Sequence, residues 1–82
     1  MINKFYLDIA IKRIKDWGFE VINYDEEGIE IKPLLEVYNI IDTLKEICKL
    51  SGINIRAYYF LKNNNIKLCY KHKWELKEEG LI

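Results

Sequence analysis

The residues best able to do chemistry stand close together in "CYKH", residues 69–72. Cys69 and His72 have a spacing that can hold zinc when it falls on a turn. On a strand, side chains alternate and the two point to opposite faces. A structural zinc site also needs two further ligands, and the other thiol, Cys48, sits on the apolar face of a helical segment. We therefore expect no metal and no other cofactor. With Cys48 above the sheet and Cys69 below it, we also expect no disulfide between them.

Nucleophiles and bases are scarce. His72 is the only histidine, Ser51 stands in a helix-ending "SG", and Thr43 lies mid-helix. A reactive cysteine needs an electropositive setting that lowers its pKa, and only Cys69, among Arg56, Lys67 and Lys71, could have one. Glu75 lies three residues from His72 but belongs to a charged tail. "DEEG" lacks the alternating ligands of a calcium loop, and the four glycines are isolated, so no phosphate loop is present. The sequence reads as non-catalytic.

The elements that position these residues follow from periodicity. From Ile2 to Trp17, Lys4, Asp8, Lys12 and Lys15 form one polar stripe at helical spacing, and the remaining arc is apolar and wide. Gly18 follows as a C-cap. "FEVINYDEEGIEIK" then alternates around an acidic turn and predicts a hairpin. Pro33 can begin a second helix, whose narrow face is Val37, Ile40, Ile41, Leu44, Ile47 and Cys48. Gly52 ends it, a second hairpin follows, and "WELKEEGLI" predicts a short helix or a segment docked on the sheet edge.

The order is helix–hairpin twice. Gly18 matches Gly52, Phe19 matches Ile53, and Val21 matches Ile55. We expect one α+β domain over 1–82, with units 1–32 and 33–72 and a tail 73–82. The tandem α-β-β repeat predicts a four-stranded antiparallel sheet with two helices packed on one face, an order that a permuted ferredoxin-like fold would also give.

With "KNNN" as the loop of the second hairpin, Leu61 faces Ile66, Tyr59 faces Leu68, and Ala57 faces Tyr70. This register places Ile53, Ile55, Ala57, Tyr59, Leu61, Ile66, Leu68 and Tyr70 beneath the helices. Arg56, Tyr58, Phe60, Lys67, Cys69 and Lys71 then fall on the open face, and Ile22 and Tyr24 of the first hairpin join Tyr58 and Phe60 there. A contiguous patch of this kind marks an interface.

Composition narrows what that interface could bind. The chain has 82 residues, 13 Lys and Arg against 13 Asp and Glu, and 50% hydrophobic residues. Zero formal charge gives no long-range field toward nucleic acid or acidic membranes. No apolar run reaches the length of a membrane span, and Lys4 and Asp8 interrupt the N-terminal apolar segment, unlike a signal peptide. We expect a cytoplasmic protein.

An aromatic centre ringed by Arg and Lys has the composition of a protein hot spot. The expected function is a small protein–protein interaction module, regulatory or inhibitory and of a size that mobile elements encode. It would act by occupancy through Arg56, Tyr58, Phe60, Lys67, Lys71, Ile22 and Tyr24. The partner is a protein of unnamed identity, and the wide apolar arc of the first helix also suits a homodimer. The alternative is a single-stranded nucleic-acid binder that stacks bases on the same face. Against it, the chain is neutral, Glu20 and Glu30 lie beside the patch, and "IRAYYFL" lacks the glycine-and-aromatic signature of RNA-recognition domains.

Overall fold

Asn3 opens the first helix, its Oδ1 accepting from the Phe5 amide at 2.9 Å and so satisfying a donor that every helix start leaves over. This computed structural model describes residues 2–33 and 37–82, with side chains described outside 37–39. Helix α1 spans Lys4–Asp16, strands β1 Glu20–Tyr24 and β2 Gly28–Lys32, helix α2 Val37–Leu50, strands β3 Ala57–Phe60 and β4 Ile66–Cys69, and helix α3 Lys73–Glu78. The class is the expected α+β with a four-stranded antiparallel sheet. The expected helix start after Pro33 falls on residues 34–36 and the expected core role of Val37 on its side chain, and both lie outside what the structure describes.

The two matched glycines do matching work. After α1, Gly18 N donates to Lys15 O and Phe19 N to Ile14 O, with Gly18 at φ +97°. After α2, Gly52 N donates to Lys49 O and Ile53 N to Cys48 O, with Gly52 at φ +85°. Both are the left-handed closure that lets the chain leave a helix with its last carbonyls paired. Each is followed by a buried residue, Phe19 or Ile53, that returns the chain to the core.

The main core lies between the helices and one face of the sheet. Leu7, Ala10, Ile11 and Ile14 of α1 meet Ile40, Ile41, Leu44, Ile47 and Cys48 of α2 over Ile29, Ile31, Ile66 and Leu68. Each fully buried Ile or Leu contributes roughly 1.5–3 kcal/mol relative to exposure.

The strand order is β1-β2-β4-β3. The hairpins therefore join through β2 and β4, with Glu30 opposite Lys67 and Ile31 opposite Ile66. The join is tight: a Cβ on Gly28 would lie 1.8 Å from the Leu68 carbonyl oxygen. β1 and β3 form the two edges. β1 carries a register shift between Val21 and Asn23, a bulge at Ile22.

The second hairpin differs from the expected register by one residue. Ala57 lies opposite Cys69, Tyr58 opposite Leu68, Tyr59 opposite Lys67, and Phe60 opposite Ile66. The cause is the loop. Leu61 N donates to Asn65 O, Asn64 N donates back to Leu61 O, and Asn64 adopts φ +68°. The loop is thus the three residues Lys62, Asn63 and Asn64, a turn closed by a left-handed residue, and Asn65 belongs to the strand side. One residue fewer in the loop turns β3 over. Ala57 and Tyr59, expected beneath the helices, lie on the opposite face. Tyr58 and Phe60, expected on that open face, share the helix side with Leu68 and Ile66.

Helix α3 makes the inverted β3 tolerable. Leu76, fully buried, packs on Ala57 and Cys69, with Tyr59 against the same cluster. The tail forms a short helix that docks on the sheet's second face and supplies a small second core.

Candidate protein-interaction surface

β3 places its two exposed aromatics at the sheet's outer edge. Leu61 N donates to Asn65 O, so the closely bonded pairs with β4 are 61 with 65, 59 with 67 and 57 with 69. Antiparallel ladders alternate, so the amide and carbonyl groups of Tyr58 and Phe60 point away from β4. Their side chains stay 42% and 48% exposed, and their rings meet edge to face, centroids 6.0 Å apart at 88°. Such aromatic contact is favourable beyond area burial. Lys45 of α2 holds its ammonium 5.8 Å from the Tyr58 ring centroid. The edge thus presents unpaired backbone groups flanked by an aromatic pair.

The other expected members are dispersed. Ile22 and Tyr24 are exposed but sit on β1, at the opposite edge. Three strand spacings of about 4.8 Å separate the two edges, so Ile22 and Tyr24 do not join Tyr58 and Phe60. Tyr24 lines a recess with Ile2, Lys4 and Leu7 instead.

The bases lie elsewhere, each with a partner. Lys67 keeps only 7% of its side chain exposed and donates to both oxygens of Asp25, at 3.1 and 3.0 Å. Asp25 also accepts from the amides of Glu27 and Gly28. Its burial alone would raise its pKa, but the bonds from Lys67, Glu27 and Gly28 outweigh that, and the carboxyl titrates below its ordinary value. Lys71 pairs with Glu79, whose carboxylate holds the ammonium's pKa up. Arg56 Nη1 lies 3.1 Å from His72 Nε2. A guanidinium only donates, so that ring nitrogen accepts. His72 in turn stacks on Trp74, centroids 6.4 Å apart at 13°.

The candidate chemistry can be placed residue by residue. Cys69 is buried under Leu76, and burial pushes its thiol up to about 11, against the pull of Lys67. That is the reverse of what an attacking thiolate needs. Cys48, in the main core, is pushed up to about 12 by burial. Both thiols are free, and they lie in cores on opposite faces of the sheet. Among the described residues no group of three or more His, Cys, Asp or Glu could hold a metal ion, and no helix is long and apolar enough to cross a membrane.

Sequence reasoning missed the pairing of Lys67 with Asp25 and the cover that Leu76 gives to Cys69. The first had no local signal, because it depends on β2 lying beside β4. The second had one, as Leu76 is the apolar residue central to a charged tail. No family model matches the chain, and neither a curated protein nor a solved structure does.

Proposed function

We propose that this chain is a non-catalytic protein-interaction module that works by occupancy, through strand addition at the outer edge of β3. The observation that carries this reading is the pair of outward-facing backbone units at Tyr58 and Phe60, flanked by their own exposed rings. Folds blunt an exposed edge or use it. The bulge at Ile22 blunts β1, whereas no register shift interrupts the β3–β4 pairing.

The first partner that fits is a second copy. Two β3 strands meeting antiparallel around Tyr59 place Tyr58 of each opposite Phe60 of the other. All four outward amide groups then find carbonyls, and the aromatic pairs come together on one side. This is a self-complementary two-fold contact. A strand of four residues makes a small interface, so the association depends on concentration. A regulatory or inhibitory protein can use such an edge to switch between its own copy and another chain's strand. A cytoplasmic setting suits its two unpaired thiols.

Nucleic acid is the less favoured occupant. Arg56, Lys67 and Lys71 do not lie beside Tyr58 and Phe60 as a free basic rim; Lys67 is buried on Asp25 and Lys71 is paired with Glu79.

Mass in solution, by light scattering over a concentration series, tests the reading. Wild type should move from monomer toward dimer as concentration rises. Phe60→Pro should remain a folded monomer, because the amide it removes bonds nothing inside the fold. Tyr58→Ser/Phe60→Ser should behave the same way. A Phe60→Pro protein that dimerises like wild type would exclude this edge.

A further inference from the structure

We propose that the groove between α1 and α2 is a second docking site, which takes a cationic amphipathic helix from a partner protein. The groove, about 870 Å3, lies between the C-terminal halves of the two helices. Its walls are Trp17 and Leu50, 65% and 70% exposed, and the buried Ile47 also lines it. Asp16, Asp42 and Glu46 complete the rim.

The charges point to the occupant. Arg13, the cation in the lining, turns its guanidinium to Leu50 O and Ser51 Oγ, both at 3.2 Å. The ion pairs among the described residues leave out all three carboxylates. Asp42 and Glu46 are like charges one turn apart on α2, which repel. Asp16 is the last residue of α1, where the helix dipole disfavours an anion. A cation in the groove would offset the Asp42–Glu46 repulsion and the unfavourable end of the α1 dipole at Asp16.

The shape selects a helix. A third helix laid between two others repeats ridge-into-groove packing. Its apolar stripe would meet Trp17, Ile47 and Leu50, and Lys or Arg on either side would meet the carboxylates. This site is independent of the β3 edge.

The probe is a synthetic Leu/Lys amphipathic helix of about fourteen residues, four turns long, with a Leu/Glu peptide of the same pattern as counterpart. The protein is the full chain carrying Trp74→Phe, so that Trp17 alone reports. The Leu/Lys peptide should bind saturably with a blue shift of Trp17 emission, and the Leu/Glu peptide should not. Added salt should weaken binding. Asp42→Asn/Glu46→Gln should weaken it roughly tenfold or more, while the thermal midpoint stays level, since exposed charges contribute little to stability. A binding loss with an unchanged midpoint cannot come from a damaged fold. Equal affinity for both peptides, or undiminished affinity in the double variant, overturns the proposal. So does a dimer abolished by Leu50→Ser but kept by Phe60→Pro, which would give the groove to a second copy.

Discussion

Lys67 Nζ lies 3.0 Å from Asp25 Oδ2, joining the middle of β4 to the turn that leads into β2, with the lysine almost wholly buried and the aspartate half exposed. The pair fixes the β2–β4 junction on the face away from the two long helices. Asp25 also holds the amides of Glu27 and Gly28, so one carboxylate organises both the turn and the cross-hairpin contact.

Removing the acid should therefore hurt more than removing the base. Asp25→Ala strands a buried ammonium and two turn amides, and we expect a loss of roughly 2 kcal/mol. Lys67→Met leaves only a half-exposed carboxylate and should cost less. The sign of the pH dependence follows from Asp25 titrating below its ordinary value. Its stabilisation is fully present above the unfolded-state pKa of about 3.9 and is lost as pH falls through the lower folded value. Urea midpoints measured from neutral to acid pH should fall for wild type and flatten in Asp25→Asn.

Gly28 has no room for a side chain. Since a Cβ there would meet Leu68 O at 1.8 Å, Gly28→Ala must push β2 from β4. We expect a loss of about 3 kcal/mol or more, read as a lower thermal midpoint. Gly18→Ala meets no atom within 4 Å and strains only its left-handed backbone, so it should cost less.

Cys69 should be slow toward thiol reagents because Leu76 covers it and burial raises its pKa to about 11. Leu76→Ser should open that cover and speed labelling of Cys69, located by peptide mapping, while Cys48 in the main core stays protected. Equal acceleration at both cysteines would mean that α3 holds the whole fold rather than the second core.

The Tyr70 hydroxyl is buried without a hydrogen-bond partner among the described residues. Tyr70→Phe should stabilise the protein by about 1 kcal/mol. Burial also raises the phenol's pKa to about 12, so the neutral form is favoured in the fold. Wild-type stability should decline as pH rises from about 10 toward that value, and Tyr70→Phe should lose that part of the decline.

Much of the fold was legible because helices announce themselves by period. The narrow stripe from Ile40 to Cys48 and the glycines at 18 and 52 are local signals, and the structure keeps them. The patch was not legible for a reason equally local. Whether Tyr58 faces the helices or the open side depends on one residue of loop, which the left-handed Asn64 decides. The apolar pattern "AYYFL" reads well in either register, so burial could not arbitrate. Arbitration came from Leu76, eighteen residues beyond Tyr58 in sequence, which supplies a second core for Ala57 and Tyr59. The separation of Tyr24 from Tyr58 likewise depended on strand order, which no residue type encodes.

Residue-resolved amide hydrogen exchange of β3, at low and high protein concentration, tests the central claim most directly. Tyr59 and Leu61 bond to β4 and should be protected at both. Tyr58 and Phe60 should exchange quickly when dilute and become protected as copies associate. If Tyr58 and Phe60 remain fast at every concentration while the mass doubles, the contact lies elsewhere and the β3 edge is not the docking surface. If the mass never rises above the monomer, the second copy is not its partner.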